Sequence, residues 1–380
     1  ASYFKLPRSH VRAINENMGG GFGSKTGANR DAYIASVLAQ MTQRPVRVEY
    51  DRPSQFTSAT HRYATKVALK AGVSRDGLIQ AYSATSIGDA GAYNAGSSPL
   101  TPIQRLYKVD KALFEHTGLI TNRCPSGAQR CVGDPQGTWE QEIFIDELAE
   151  KAGIDPVEFR LKNFETKIDQ DSKLPWQSCG IVECVEKGAQ VIGWKQKWHK
   201  PGAAIKGNKA HGIGMSAHAC GHGSMSAPMS QVVRLDRDGS LDMNNGLTEI
   251  GGGQSTAMMM IAAETVGVKF EDAFPAWGDS GFLPDTGGTF GSRGTPSAGS
   301  ATLNAGLDLK YQILQEAVKP RGAQRKPLLD AKVEDLDTGD GFVFVKSDPS
   351  KKVPLADVAN ATGSPMIGRG THVVPPGFAQ

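Results

Sequence analysis

Three glycine-rich stretches place the strongest constraint on this chain. Met18 to Lys25 reads MGGGFGSK, Gly251 to Gly253 is a second glycine triple, and Asp285 to Thr295 reads DTGGTFGSRGT. Each is followed by a run with helical periodicity, at about Asp31 to Met41, Ser255 to Val266 and Pro296 to Val318. Glycine has no Cβ to block an approaching group and enters positive φ at little strain. A helix N-terminus leaves backbone amides without intrahelical partners. Three such loops suit one extended, polyanionic ligand touched from several directions; the plain alternative is a set of turns joining strands to helices.

Two familiar phosphate motifs do not fit the first loop. A P-loop needs Gly before Lys-Thr, and Ser24 stands there ahead of Lys25 and Thr26. A dinucleotide fingerprint needs G-x-G-x-x-G, whereas Gly21, Gly23 and Gly27 are spaced one residue too far. Composition narrows the remaining classes. With 380 residues, 39% of them hydrophobic, the chain buries one large core or two medium ones. A net charge of +3, from 42 basic and 39 acidic residues, supplies no broad field to draw nucleic acid or an anionic membrane. The basic cluster Lys319, Arg321, Arg325 and Lys326 reads as a solvated loop. The cysteines, Cys124, Cys131, Cys179, Cys184 and Cys220, are odd in number and lack zinc or iron-sulfur spacing, which points to reduced thiols. No apolar run approaches a membrane span and no leader opens the sequence, so the expected location is cytoplasmic.

Along the chain, Val11 to Glu16 and Arg44 to Arg52 read as strands around the first loop and its helix, whose Ile34, Val37, Leu38 and Met41 share a face. Alternation on either side of Arg75-Asp76-Gly77 predicts a hairpin, and residues 115–137 read as an irregular loop lining a cleft. Thr138 to Ala152 is an amphipathic helix whose acids, Glu140, Glu142, Asp146, Glu147 and Glu150, read as a solvated face, and Pro156 to Asn163 a second helix. His211, His218 and His222 invite a metal reading, but Gly221 and Gly223 break a helix there, which favours a buried strand running into a substrate-facing loop. A hairpin turning at Asp238-Gly239 leads to the second glycine loop, and Met258, Met259 and Met260 in the helix after it read as core. GFVFVKSD is a late strand candidate. The expected domains are residues 1–165 and 206–380, joined by a linker over 166–205.

MGGGFGSK followed by RPVRVEYDR resembles the molybdopterin-binding segment of the xanthine oxidase and aldehyde oxidoreductase family of molybdenum hydroxylases. The resemblance continues in order through Gly91 to Tyr93, Thr121-Asn122, QRCVGDPQG at Gln129 to Gly137, DPVEFRLKN at Asp155 to Asn163, Glu249 to Gln254 and Gly291 to Thr295. It implies an α+β fold: molybdopterin-binding domains of mixed sheets, hairpins and helices that follow glycine-rich loops. It also implies molybdenum carried by the pterin and not ligated by the protein. The backbone of Gly20, Gly21, Phe22 and Gly23 then lies beside the metal centre, and Gly251, Gly252, Gly253, Gln254, Ser292 and Arg293 contact the pterin. Arg130 matches the family arginine that faces the small-molecule substrate and stabilises developing negative charge.

The departures from the family pattern are specific. Cys131 and Val132 follow Arg130 where glycine is usual, and the glutamine of the relatives' Met-Gly-Gln-Gly loop is replaced by Gly252, with Gln254 displaced by two. The family's Gly-Glu-Pro segment, which carries the general base, and its Gly-Gln-x-His segment do not occur. The resemblance therefore implies the central portion of a split molybdenum subunit. The base would come on another subunit fragment, and [2Fe-2S] clusters and FAD on partner subunits. The pterin would be molybdopterin, with a cytosine dinucleotide form among the possibilities, and the reaction hydroxylation of a heteroaromatic or aldehyde carbon with water-derived oxygen. A reductase or hydratase on the same architecture, or a non-catalytic scaffold subunit, are the alternatives.

Overall fold

Alternating apolar residues and glycine-punctuated helices produce two compact units in a computed structural model that describes residues 1–93, 98–170, 172–176, 178–219, 228–284, 286–321 and 326–373. One unit comprises Ala1–Gly21 with His222–Pro375, the other Phe22–Gly221 with Pro376–Gln380. Cys220, Gly221, His222, Gly223, Asp285, Arg325 and the closing PPGFAQ lie outside the described residues.

In the unit from Phe22, helix α1 spans Arg30–Thr42 and α2 Arg52–Ser58. The Asp51 carboxylate accepts the Ser54 amide at 2.9 Å and caps α2, so the strand expected through Arg52 ends in a helix start. Residues 44–50 before it carry no regular element and join no sheet, contrary to the expected strand. The predicted hairpin forms: β1 (Thr65–Val73) and β2 (Ile79–Gly91) are antiparallel, closed by Gly77 donating to the Ser74 carbonyl. After α3 (Thr101–Leu106), β3 (Lys111–Ile120) adds in parallel to β2, which corrects the loop expected from residue 115. Helices α4 (Asp134–Ala152) and α5 (Pro156–Asn163) pack a core with this sheet that includes Tyr82, Ala84, Ile145 and Phe159. Helices α6 (Ile181–Ile192) and α7 (Trp194–Lys197) and the two-residue strands β4 (Ile205–Lys206) and β5 (Lys209–Ala210) follow, while residues 211–219 carry no regular element where a buried strand was expected.

The acidic face of α4 is not all solvated. Glu142 is buried and its carboxylate accepts from the Tyr107 hydroxyl at 2.7 Å, Arg160 Nε at 2.9 Å and the Ala217 amide at 2.7 Å. Arg160, fully buried on α5, also reaches Asp146 at 2.6 Å. Helical periodicity assigned these acids to water because it sees one helix at a time; the cation that takes them inward sits on the next.

The other unit is built on a four-stranded sheet in the order β12-β6-β7-β8, with β6 (Met229–Leu235) and β7 (Leu241–Asn245) forming the predicted hairpin. Strand β8 (Ala273–Trp277) runs parallel to β7, and β12 (Met366–His372) is antiparallel to β6. Helices α8 (Gln254–Val266) and α9 (Ser300–Val318) cover it, a π-helical turn at Gly294–Gly299 leading into α9. A Cβ on Gly368 would stand 2.2 Å from the Ala305 carbonyl oxygen, so glycine there lets β12 lie directly on α9. Met258 is fully buried and Met259 packs against the core, but Met260 faces out at 58% exposure, which corrects the triple core assignment. A second sheet, β9 (Leu336–Gly339), β10 (Phe342–Val345) and β11 (Asp348–Pro354), contains the GFVFV strand, and α10 (Leu355–Thr362) follows it. Val11 to Glu16 is not a strand: only single bridges form, Ile14 with Asp279 and Asn17 with Glu249. Lys319 and Arg321 of the basic cluster expected on a solvated loop both pair with Glu316.

Candidate functional site

Within the unit built on the four-stranded sheet, the three glycine loops meet. Met18 donates its amide to the Glu249 carbonyl at 2.9 Å, and Glu249 returns its own to the Glu16 carbonyl at 3.2 Å, which lays the first loop along the second. Thr289 ties in the third: its hydroxyl accepts the Thr248 amide at 3.0 Å and donates to the Thr248 carbonyl at 2.9 Å. Gln254 bridges the same two loops, since a Cβ on Gly294 would lie 3.3 Å from its Cγ. A Cβ added at Gly19, Gly251, Gly253 or Gly291 would meet nothing within 4 Å. On the side where a Cβ would stand, these four glycines therefore face open space instead of filling a packed corner.

The second loop carries its own anion. The Glu249 carboxylate accepts the amides of Gly251 at 2.8 Å, Gly253 at 3.1 Å and Ser255 at 3.2 Å. Burial works against its charge, but these backbone donors outweigh it and hold the carboxyl below the ordinary glutamate range. The expectation that this loop offers unpaired amides is thus corrected. A glutamate just before a glycine triple was the available signal, because a carboxylate there can fold forward over the turn as it does at a helix N-cap.

Gln254 and Gly252 form a matched pair. A Cβ at position 252 would fall 2.5 Å from Gln254 Nε2, so the Gln254 carboxamide lies over Gly252 where a side chain from 252 would begin. Its Oε1 is buried and has no hydrogen-bond partner in the structure. In the third loop Ser292 is exposed, with φ at 60°, while Arg293 is buried. The Arg293 guanidinium donates to the carbonyls of Thr286 at 3.2 Å and Gly287 at 3.4 Å and lies 5.3 Å from the Phe290 ring centre. It braces its own loop, so a ligand above would meet the loop backbone before it met this side chain.

Gly20 and Gly21 end the first unit's share of the opening loop, and Phe22 and Gly23 begin the other's. Phe22 holds φ at 52° and is 63% exposed. A Cβ on Gly23 would stand 2.5 Å from the Ala128 carbonyl oxygen, which seats Gly23 on the segment leading to Arg130. That segment is held by Gln129 donating to the Thr60 carbonyl at 3.0 Å and by Arg62, whose Nη2 reaches the Arg130 carbonyl at 2.7 Å and Nη1 the Gln136 Oε1 at 3.1 Å. Arg62 had no motif to mark it. Arg130 itself is exposed. A cavity of about 470 Å³ opens beside it, lined by Cys131, Thr138, Trp139, Glu142, Met215 and His218 among others. Thr138 Oγ1 and His218 Nδ1 are 2.7 Å apart across that lining. Among the described residues no cluster of His, Cys, Asp or Glu has the makings of a metal site.

These residues fit a cofactor held by backbone and carboxamide instead of by metal ligands: bare glycine backbone facing open space, and one buried amide oxygen without a partner. Residues 1–164 and 187–377 each match a molybdopterin cofactor-binding domain family. The chain belongs to the molybdopterin cofactor-binding family. With that family placed, the resemblance to the xanthine oxidase and aldehyde oxidoreductase group is also seen in individual relatives. The chain is 35% identical over 317 residues to the aldehyde oxidoreductase molybdenum-binding subunit PaoC of Escherichia coli (strain K12), an alignment that covers 82% of this chain and 42% of PaoC. It is 30% identical over 325 residues to the xanthine dehydrogenase molybdenum-binding subunit of Escherichia coli O157:H7, covering 82% and 43%. In fold it is similar to quinoline 2-oxidoreductase from Pseudomonas putida 86, with a TM-score of 0.82, 22% identity, and coverage of 97% of this chain and 50% of that one. This molybdopterin-binding chain thus spans about half the length of the proteins it matches, or less. Among the described residues no helix is long and apolar enough to cross a membrane.

Proposed function

We infer that this chain is the cofactor-holding portion of a multi-subunit molybdenum hydroxylase. The observation that carries the reading is the meeting of three glycine loops in one unit, through Met18 with Glu249, Thr248 with Thr289 and Gln254 with Gly294. The two sequence modules proposed for it are residues 1–165 and 206–380 with 166–205 between them, supported by the two family matches. The backbone of Gly20, Gly21, Phe22 and Gly23, the loop Gly251 to Gly253 with the Gln254 carboxamide, and the Ser292-Arg293 turn would hold the pterin. When bound, the cofactor supplies the two-electron oxidation chemistry and the metal centre at which water-derived oxygen is delivered.

The chain's own residues orient and stabilise. Arg130 supplies a fixed positive charge toward a small aldehyde or heteroaromatic substrate. Arg62 fixes the carbonyl of that residue, so the loop does not have to organise during the reaction. Bare glycine backbone lets the ligand approach to contact distance, and Arg293 keeps the third loop in shape beneath it. No Gly-Glu-Pro segment occurs in the 380 residues, so the general base is assigned to large-subunit polypeptide beyond them. Partner subunits with [2Fe-2S] clusters and FAD would take the electrons, and the cytosine dinucleotide form of the pterin is part of the same reading.

One observation favours a second reading, a scaffold that no longer holds the cofactor: Glu249 already fills the amides of the second loop with its own carboxylate. Metal analysis of the assembled complex together with Arg130→Ala separates the two. The hydroxylase reading expects stoichiometric molybdenum, and turnover reduced by about a hundredfold to a thousandfold in Arg130→Ala with assembly intact. A metal-free complex, or unchanged turnover in the variant, supports the scaffold.

A further inference from the structure

Residues 60–63, THRY, pack against the segment that carries Arg130. The Thr60 carbonyl accepts from the Gln129 carboxamide, the His61 carbonyl accepts the Gly127 amide at 3.1 Å, and Arg62 reaches the Arg130 carbonyl. Tyr63 completes this bed: its carbonyl accepts Gln136 Nε2 at 3.1 Å, and a Cβ on Gly133 would stand 2.8 Å from its hydroxyl oxygen. Gly133 holds φ at 85°, so the turn comes down onto that hydroxyl with bare backbone. Tyr63 is 3% exposed, and among the described residues its hydroxyl has no hydrogen-bond partner. Burial pushes the phenol up to about 12, so the oxygen keeps its hydrogen and has one to donate.

A second buried polar atom stands close by. Ser86 of β2 and His116 of β3 are directly opposite in the sheet, with Oγ and Nδ1 2.7 Å apart, and Nε2 of the same ring is buried without a partner among the described residues. With the Ser86 hydrogen turned to the Glu115 carbonyl, 3.5 Å away, Nε2 is a bare acceptor; with it turned to Nδ1, Nε2 carries a hydrogen. Either way one ring nitrogen is left unsatisfied. Both rings close on Gly88, where a Cβ would lie 3.6 Å from His116 Nε2 and 3.6 Å from Tyr63 Cδ2. Folded interiors pair nearly all such atoms, using ordered water where protein does not reach. These two are shut off from solvent, so whatever pairs with them is enclosed by the same residues.

We propose that an enclosed site for one or two ordered waters bridges the Tyr63 hydroxyl to His116 Nε2, and that this relay makes Tyr63 a positioning residue for the Arg130 turn. Its bearing on function rests on the reading of Arg130 as the substrate-facing charge. Water is the occupant the chemistry selects, because a phenol donor and an imidazole nitrogen of either role call for a small molecule that both donates and accepts. Held from behind by water, the hydroxyl stays pinned under Gly133 while Arg62 fixes the Arg130 carbonyl. The guanidinium then starts from one backbone conformation instead of several.

The test is a high-resolution crystal structure of the assembled complex, wild type and Tyr63→Phe, paired with amide exchange. In the wild type, ordered water is expected to link Tyr63 Oη to His116 Nε2 through hydrogen bonds of about 2.6–3.2 Å, and to be lost in Tyr63→Phe. Direct contact between the two side chains, or water at one of them or neither, would overturn the proposal. In solution, Tyr63→Phe should speed exchange of the Asp134 amide, which donates to the Cys131 carbonyl at 3.2 Å, about tenfold, with the amides of the β1–β2 pair unchanged. A 4-aminophenylalanine at position 63 keeps a donor and should restore the wild-type rate. His116→Leu should match Tyr63→Phe, and the double variant should exchange no faster than either. An unchanged Asp134 rate, a rise shared by β1–β2, or additive effects in the double variant would each overturn it. Molybdenum is scored in the same preparations: a loaded complex without the water counts against this site, and the water in a complex without metal counts against the cofactor assignment.

Discussion

Cys131 stands where the family resemblance implies glycine, and it holds a conformation that favours glycine, with φ at 55°. A side chain in the left-handed region stores about 1–2 kcal/mol, partly offset by the greater freedom glycine loses on folding. Cys131→Gly is therefore expected to leave stability unchanged or raise it by up to about 1 kcal/mol, and Cys131→Val to lower it by about 1–2 kcal/mol, read as shifts in thermal melting. Phe22 and Ser292 hold the same unusual backbone in the other two proposed contact loops that contain them, and such positions gather at ligand-holding sites. Glu249 makes a pH prediction. Its carboxyl lies below the ordinary range in the folded chain, so the stability it adds is fully present above the unfolded glutamate pKa of about 4.3 and is lost as pH falls through the lower folded value. Melting curves of wild type and Glu249→Gln should differ at neutral pH and converge on acidification; a constant gap would contradict the role given to the charge. Glu249 and Arg62 are also where residue-level reading of the sequence stopped. The glycines announce a backbone site, but what fills or braces it depends on side chains folding across several residues or arriving from far along the chain.

Helices and hairpins were legible because each is a local pattern. Pro156–Asn163 begins and ends where proline and capping place it, and the hairpins at Gly77 and Gly239 close as their turn residues require. Parallel strand β3 was missed because its partner β2 lies across an intervening helix, and a parallel edge strand needs no turn signal beside it. The runs at residues 11–16 and 44–50 have strand composition but enter no sheet, since alternation reports what a face can bury and not what is present to pair with it. The buried acids of α4 teach the same lesson. Arg160→Met leaves Glu142 without its buried cation and should cost about 3–5 kcal/mol, measured by denaturant unfolding, while Arg160→Met combined with Glu142→Leu should recover a large part of that loss. Because Glu142 also holds the Ala217 amide, the single variant should loosen the segment around His218 beside the cavity, visible as faster amide exchange there.

For the whole molecule, membership of the molybdopterin-binding family and a length near half that of the matched proteins lead to one expectation. The isolated chain should not turn over substrate, because the general base and the electron acceptors are assigned to other polypeptides; measurable oxidation by the purified 380-residue chain alone would contradict that division. The central claim is that bare backbone from the first and second glycine loops seats a single cofactor. Gly19→Val and Gly251→Val each place a branched side chain where a Cβ would meet nothing within 4 Å, at positions whose φ is 65° and 91°. The most direct measurement is molybdenum content by elemental analysis of the assembled complex carrying each substitution in turn. The account predicts stoichiometric metal in the wild type and its loss in both variants with subunit composition intact; full metal in both variants would contradict it.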